Sequence, residues 1–557
     1  MNPGTPAPPI WTNASTESIK TGTWRSALAR HIHAPAPCHG ACPVGGEIAR
    51  WISQARAGDF RAAWDTLTLH NPFPAIAGRI CHHPCESACN RAGHDTALSI
   101  CKLERFVGDL ALERGWAFPA ARLQRRERVA VVGAGPSGLS AAFQLRRLGL
   151  QVTLLESQPQ AGGLMRYGIP AYRLPRAVLD GEVGRILDLG IELRLGQSLD
   201  APEQFARLRS EHDALYLALG ARRQKRLSQL DYSRPWVFDS ANYLARSSIG
   251  APPALGRRVV VIGGGSAALD VARSARRAGH AVTILALETR AQMPAQPEEL
   301  FEALEEGIHL VDAAMLRAVA DAPGSGLRLD CVHVAFKPGA HSGQFTVCAL
   351  EGTGFALDAD AIVSAIGQDP ELAPLAGMLQ TDAALLRTDR NGATSAAGVY
   401  AGGDIASMAR FVTEAIGMGE RAARAIDHAL RRHSGAAEPA DAPPADNEAL
   451  VALAGINLHY HPAQPRPDGQ RLGVAERLAY SAEVQLGLDL AQALAEAGRC
   501  FSCGQCTHCD NCVNYCPDFA VQRAGGGYIV LTDYCKGCGL CVKECPTGSM
   551  KMLQEVR

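Results

Sequence analysis

The chain contains no apolar run approaching the ~18 residues that a membrane-spanning helix needs, and this excludes an integral helical membrane protein. Its first stretch, MNPGTPAPPIWTNASTESIK, does not set a basic segment ahead of an apolar core. No secretory leader is therefore read there, and a cytoplasmic location is expected. A charge imbalance is missing too. The 55 Lys and Arg against 56 Asp and Glu leave a formal net charge of -1, so nothing global draws the chain to nucleic acid or to an anionic membrane. What remains is an ordinary globular composition, 47% hydrophobic and 20% charged over 557 residues, enough for the cores of three or four domains.

Cysteine, by contrast, is plentiful. Eighteen thiols in a reducing compartment point to metal rather than to disulfides. Sixteen of them fall into two groups, Cys38 to Cys101 and Cys500 to Cys545. Cys331 and Cys348 stand alone between the groups and read as core residues.

Between the cysteine groups lies RVAVVGAGPSGLSAAFQLRRLGLQVTLLE, Arg128 to Glu156. Val129 to Val132 is a β-branched run suited to a strand buried on both faces. Gly133, Gly135 and Gly138 follow as G-x-G-x-x-G, which permits a tight turn, backbone approach by a pyrophosphate and close helix–strand packing. The helix N-terminus offers free N–H groups to the phosphates. A second strand, Val152 to Leu155, ends in Glu156, placed for the hydroxyls of an adenosine ribose. Then comes Gly162-Gly163-Leu164 and, after three residues, Gly168-Ile169-Pro170, a loop too rich in glycine for a helix and able to lie against a flat ring. Ala214 to Gly220 reads as a further buried strand of this unit.

A second nucleotide-binding pattern begins at Arg257. Val259 to Ile262 is its strand, and Gly263, Gly265, Ser266 and Ala268 form a G-x-G-x-x-A turn. After strand Ala281 to Leu285, Glu288 is the acid that favours free ribose hydroxyls and hence NAD over NADP, with Arg290 pulling the other way. Ala361 to Ile366, ending in Gly367, is expected to return the chain to the first unit. There Gly403-Asp404 suits a ribityl or pyrophosphate contact, and a helix starting near Thr413 would point its N-terminus at a reduced flavin.

Residues 1 to about 125 read as helical after a Pro-rich lead, with an apolar stripe at Ile48, Trp51, Ile52, Ala55, Phe60, Ala63 and Trp64. Their Cys38, Cys42, Cys81, Cys85, Cys89 and Cys101 lie beside prolines and lack the tight ligand pairs of a zinc site, which favours iron–sulfur ligation. Residues 434 to about 470 read as a surface linker, and Ala475 to Ala497 as helix. The last segment carries two full C-x2-C-x2-C-x3-C-P runs. In that fold three cysteines of one run and the fourth of the other hold each 4Fe-4S cluster. Cys506, Cys509, Cys512 and Cys545 are thus expected to hold one, and Cys535, Cys538, Cys541 and Cys516 the other.

With those residues in view, about positions 35 to 430 resemble the flavoprotein small subunit of glutamate synthase and its relatives, among them the N-terminal half of dihydropyrimidine dehydrogenase. The likeness rests on Cys42-Pro43, Gly78-Arg79-Ile80-Cys81, Glu104-Arg105-Phe106, both glycine turns, Gly162-Gly163-Leu164, Gly168-Ile169-Pro170, Met293-Pro294-Ala295 and Gly403-Asp404. It implies FAD in the first nucleotide fold and a nicotinamide cofactor in the second. The C-terminal piece is similar to the small ferredoxin subunit of 2-oxoacid:ferredoxin oxidoreductases.

Two departures from that family bear on function. Leu287 and Glu288 stand where many relatives carry a double arginine, which again favours NAD. The family's upstream C-x2-C is missing, while Cys38 and Cys89, which would share its cluster, are present. A spare pair, Cys500 and Cys503, is expected to fold back and complete that cluster. The remaining N-terminal cluster would use Cys42, Cys81, Cys85 and, by family position, Glu104, with Cys101 as its competitor.

The expected architecture is therefore α/β. Two nested Rossmann-like dinucleotide-binding domains, for FAD and NAD, are flanked by a helical iron–sulfur domain and an α+β ferredoxin-like domain. The expected boundaries are 1–125, 126–250 and 359–433 for the split FAD domain, 251–358 for NAD, 434–494 for linker and helix, and 495–557 for the ferredoxin-like end. FAD, NAD and four 4Fe-4S clusters would make an electron-transfer subunit without a side-chain acid or base. Its expected partners are other subunits of an oxidoreductase, such as a thiamine-dependent 2-oxoacid enzyme, or a ferredoxin. A free-standing NAD(P)H:ferredoxin oxidoreductase and a non-catalytic wiring subunit are the alternatives.

Overall fold

The computed structural model describes residues 19–555 apart from 122, 323–325, 340–343, 435–448, 468 and 480. The Pro-rich lead and residues 435–448, the first part of the expected linker, lie outside those residues.

Two parallel sheets form the centre. In the first, the strands run in the order Val399–Ala401, Ala214–Leu217, Arg128–Val132, Gln151–Glu156, Glu192–Leu195. Its central strand is buried from Val129 to Val132, as an apolar β-branched run between two covered faces should be. Helix Pro136–Arg147 covers one face and is crossed by the long helix Val412–Ser434. The two approach closely because Gly419 has no side chain: a Cβ there would stand 2.3 Å from the Ser137 carbonyl oxygen.

The second sheet runs His309–Val311, Ala281–Leu285, Arg258–Ile262, Ala361–Ser364, Val237–Asp239, also all parallel. This corrects the sequence reading of Ala361 to Ile366. That strand pairs with Arg258–Ile262 on one side and Val237–Asp239 on the other, so it belongs to the second sheet, and so does Val237–Asp239. A short buried apolar run records that it is covered on both faces, not which neighbour covers it. A three-stranded antiparallel sheet, Ala314–Ala322, Gly326–Pro338 and Phe345–Ala359, extends this unit.

Ahead of the sheets, short helices from Pro37 to Glu113 pack around Trp51, Ile52, Ala63 and Trp64, all buried. The stripe expected from spacing is their shared face. The C-terminal stretch departs from the sequence reading in two ways. Instead of one helix over Ala475–Ala497 there are two, Val474–Ala479 and Leu490–Gly498, separated by a short strand Gln485–Gly487. Gly487 sits at φ +83°, and Asp489 starts the second helix by accepting from the Gln492 amide at 2.8 Å, which ends any continuous helix between them. The described part of the expected surface linker is also not merely superficial, because Val451 and Ile456 are buried with Ala34 and Phe501.

The two ends of the chain meet. Strand Ala27–His31 pairs antiparallel with strand Met550–Gln554, from Ala27 opposite Gln554 to His31 opposite Met550. The helical N-terminal region and the ferredoxin-like end are therefore one packed body.

Candidate flavin and nicotinamide sites with their cysteine groups

The first glycine turn opens on a cleft at the carboxyl ends of the first sheet's strands, the usual ligand position of such sheets. Gly133, Gly135, Glu156, Gly163, Leu164, Gly403 and Asp404 line it. Gly133 is at φ +105°, and a Cβ on Gly138 would lie 1.8 Å from the Gly133 carbonyl oxygen, so both must be glycine for the helix to start where it does. Glu156 accepts from the amides of Ala134 and Gln158, each at 2.8 Å, which fixes its carboxylate at the strand end. Gly162 holds the second loop to the first through its N–H to the Ala134 carbonyl at 2.8 Å. Gly168 and Ile169 stand behind the lining, where the Ile169 carbonyl accepts from Arg176 at 2.8 Å. Asp404 is half-buried, and that burial raises its carboxyl above the usual range against the pull of Arg410. Gly367, at φ +96°, precedes the lining residue Gln368.

Several lining residues were not legible in the sequence. Arg410 and Phe411 come from a loop with no periodicity or spacing to mark it. Phe411 also takes the ring of His82 at 4.2 Å, which brings that histidine to the rim of the cleft.

In the second unit Gly263 lies at φ +139°, with a would-be Cβ 2.4 Å from the Ala365 carbonyl oxygen. Gly265 precedes helix Ser266–Arg277, and Ala268 is buried beneath the turn. Register locates the acid differently from the sequence reading. In the first sheet Val132 faces Leu155 and Glu156 follows; in the second Ile262 faces Leu285 and Ala286 follows. The residue equivalent to Glu156 is therefore Ala286. Glu288 lies two positions further on, folded over the turn, where a Cβ on Gly264 would be 2.6 Å from its Oε2. Burial raises its carboxyl above the usual range. Arg290 is exposed.

All eighteen cysteines are free thiols, and sixteen of them gather in the expected neighbourhoods. Cys38, Cys89, Cys500 and Cys503 line one cavity with Ile52, Leu98, Ile100 and Phe501. Cys506, Cys509, Cys512 and Cys545 line another. Around Cys541 lie Cys535, Cys516 and Cys538, and burial pushes its thiol up to about 12. Cys85 has Cys42, Cys81 and Glu104 as its charged neighbours. Glu104 is held by Asn71 at 2.6 Å and pushed up to about 8 by burial and by Cys81. Cys101 is buried and shares a hydrogen bond with Cys81, which lowers the Cys81 thiol to about 6. Burial lifts Cys42 to about 11. Thiols packed together in apolar pockets are poorly placed to ionise alone and well placed to do so on a metal cluster, so the donor sets fit iron–sulfur groups.

The Cys81 sulfur and the Thr413 hydroxyl are in hydrogen-bond contact at 3.6 Å. Thr413 lies in the first turn of the long helix, between the cleft-lining residues Val412 and Ala415. One cysteine group thus abuts the cleft.

Two nested dinucleotide folds, a cleft for a flat ring and gathered thiols at both ends define an oxidoreductase of the flavin, nicotinamide and iron–sulfur class. The match to the family model described as pyridine nucleotide-disulphide oxidoreductase spans residues 125–427, and the chain belongs to that family. Residues 27–116 match the model for dihydropyrimidine dehydrogenase domain II with its 4Fe-4S cluster, and residues 528–551 match a 4Fe-4S binding domain. The NADP(+)-dependent formate dehydrogenase subunit beta of Moorella thermoacetica is 33% identical over 502 residues, 84% of this chain and 70% of that one. The NADPH-Fe(3+) oxidoreductase subunit beta of Geobacter sulfurreducens is 30% identical over 512 residues, covering 84% and 75%. The NAD-dependent dihydropyrimidine dehydrogenase subunit PreT of Salmonella typhimurium is 31% identical over 403 residues, covering 71% and 91%. The chain is an FAD- and NAD(P)-dependent iron–sulfur oxidoreductase of the type found as subunits in such enzymes.

The two relatives matched over 84% of the chain, named for NADP(+) and NADPH, overturn the expected preference for NAD, while the NAD-dependent PreT is matched over 71%. The formate dehydrogenase subunit, matched over 502 residues, is NADP(+)-dependent. The physical reason the sequence misled is the register: the strand-end position equivalent to Glu156 is filled by Ala286, not by Glu288. Among the described residues no helix is long and apolar enough to cross a membrane.

Proposed function

We propose that the chain passes electrons between NADP(H) and iron–sulfur clusters as the flavin subunit of a larger oxidoreductase. The observation that carries this reading is the contact of Cys81 with Thr413, which joins a cysteine group to the flavin cleft. A bound flavin supplies the exchange between the paired electrons of a nicotinamide and the single electrons of a cluster. The protein's own task is placement.

In this reading the amides of Ser137 and Gly138, in the first turn of helix Pro136–Arg147, would take the FAD pyrophosphate. Glu156 accepts from the adenosine ribose, already aimed by its two backbone bonds. Gly163 and Leu164 face the ring, Gly403 and Asp404 take ribityl or pyrophosphate oxygens, and the first turn of helix Val412–Ser434 faces the anionic edge of the reduced ring. Gly263, Gly265, Ser266 and Ala268 form the NADP(H) turn, and the exposed Arg290 takes the 2′-phosphate. Cys42, Cys81, Cys85 and Glu104 would hold the cluster nearest the flavin. The two octet-derived sets, Cys506, Cys509, Cys512 with Cys545 and Cys535, Cys538, Cys541 with Cys516, would hold the ferredoxin-type pair.

The partner would be a chain that oxidises a small carboxylic acid and delivers electrons singly to the ferredoxin-like end. Formate suits the name of one relative, and a 2-oxoacid suits the C-terminal resemblance. The test is steady-state reduction of a one-electron viologen dye by the iron- and flavin-loaded chain. NADPH is expected to support it at well under the concentration needed for NADH. Equal or better use of NADH would reject the nucleotide assignment, and no dye reduction by either would reject the conduit.

A further inference from the structure

The geometry points to a fourth metal site, a 4Fe-4S cluster held by Cys500 and Cys503 from one end of the chain and Cys38 and Cys89 from the other. The family-model matches at 27–116, 125–427 and 528–551 do not include residues 500–503.

In the run Cys506-Thr507-His508-Cys509-Asp510, His508 and Asp510 are left-handed at φ +54° and +61°, and the His508 amide points at the Cys506 sulfur at 3.4 Å. In Cys535-Lys536-Gly537-Cys538-Gly539 the same two positions are at +76° and +75°. The spare pair repeats this turn. In Cys500-Phe501-Ser502-Cys503-Gly504, Ser502 is at +50° and Gly504 at +72°, with the Ser502 amide 3.4 Å from the Cys500 sulfur. A non-glycine residue is disfavoured in this region because its Cβ crowds the following carbonyl oxygen. Two merely reduced thiols preceding a ferredoxin need no such turn. A loop wrapped around a cluster does, because it aims successive amides and sulfurs into one space.

The second observation is what that space contains. Cys38 and Cys89 arrive from the N-terminal helices, and the four sulfurs line one cavity with apolar walls. Asn90 reaches the Cys503 sulfur at 3.5 Å, a second donor to a ligand sulfur. The third observation is how firmly the loop is seated. Arg499 is buried and bonded to Glu496 at 2.9 Å, Asp95 at 3.0 Å and the Thr96 carbonyl at 2.7 Å. Arg91 donates to the Arg499 carbonyl at 2.6 Å. Gly504 also fits only as glycine, since a Cβ would meet the Ala34 carbonyl oxygen at 1.8 Å.

Each of the four thiols gives its proton to solvent as its sulfur bonds one iron of a preassembled 4Fe-4S cluster and displaces the small thiolate that iron carried, which leaves as the protonated thiol, with no change of oxidation state. The site lies where the ferredoxin-like end meets the helical region, so it both staples that contact and relays electrons across it. This rests on the iron–sulfur reading above but not on the nucleotide assignment.

The test counts iron against flavin in the anaerobically reconstituted full chain. Cys500→Ser with Cys503→Ser is expected to lose about four irons per chain, the content of one cluster. Cys38→Ser with Cys89→Ser should lose the same four, and the quadruple variant no more than either pair. Unchanged iron in either pair, or additive loss in the quadruple, would overturn the site. Retained flavin shows that a variant has folded. Should neither pair retain flavin, native mass spectrometry of the wild-type chain decides: four cluster masses are expected, and fewer would overturn the proposal. Failure of NADPH reduction with iron counts as expected would instead reject the function proposed above.

Discussion

Glu156 illustrates how much one side chain can fix. Its carboxylate is held by two amides, so the free edge that remains is aimed before any ligand arrives. Glu156→Ala should weaken flavin retention about tenfold or more, about 1.4 kcal/mol, read as flavin absorbance per protein after dialysis. At the second turn the corresponding residue is Ala286, and the exposed Arg290 is the residue proposed for the 2′-phosphate. Arg290→Ala should raise the KM for NADPH by about tenfold, the loss of roughly one charged hydrogen bond, and leave that for NADH nearly unchanged. Equal effects on both nucleotides would place Arg290 elsewhere.

Glu182, on helix Arg176–Leu187, is buried and accepts from the amides of Ala75 and Ile76, each at 3.0 Å. It thereby caps helix Pro74–Ile80 of the cysteine-bearing region from within the first nucleotide unit. Glu182→Leu would leave two buried donors unpaired and should cost about 2–4 kcal/mol, seen as a lowered Tm with the cluster region loosening first in hydrogen exchange. Elements such as the glycine turns and their flanking strands were legible in the sequence because their signals are local: a run, a turn and an acid within thirty residues. The spacing of the cysteines was legible for the same reason. Sheet membership of Ala361–Ser364 and the break before Asp489 were not, because the first depends on a neighbour more than a hundred residues away and the second on a single capping box. The acid at Glu288 was visible, but its distance from the strand end counts only once the register is known.

At the scale of the molecule the C-terminal stretch ties separate parts together. Between residues 471 and 485 it bonds Glu305 and Glu302 of the second unit, through Arg477 at 2.8 Å and through Gln485. It also accepts from Arg105 at the Gln485 carbonyl, 2.7 Å, and pairs Glu483 with Arg79 at 2.7 Å. The nicotinamide unit is thus strapped to the helical region. Arg477→Ala should speed amide exchange in helix Pro297–Glu305 without altering the first sheet, since the buried Arg477 also bonds the Leu472 carbonyl at 2.7 Å. The pairing of Ala27–His31 with Met550–Gln554 closes the chain end to end. No local pattern announces such a contact.

The most direct measurement is an anaerobic titration of the reconstituted chain with NADPH and, separately, with NADH, following flavin bleaching and cluster absorbance with flavin and iron counted. The account predicts about one flavin and about sixteen irons per chain, the content of four 4Fe-4S clusters, with flavin and clusters both reduced rapidly by NADPH. Preferential reduction by NADH, or bleaching of the flavin with the clusters left oxidised, would contradict it.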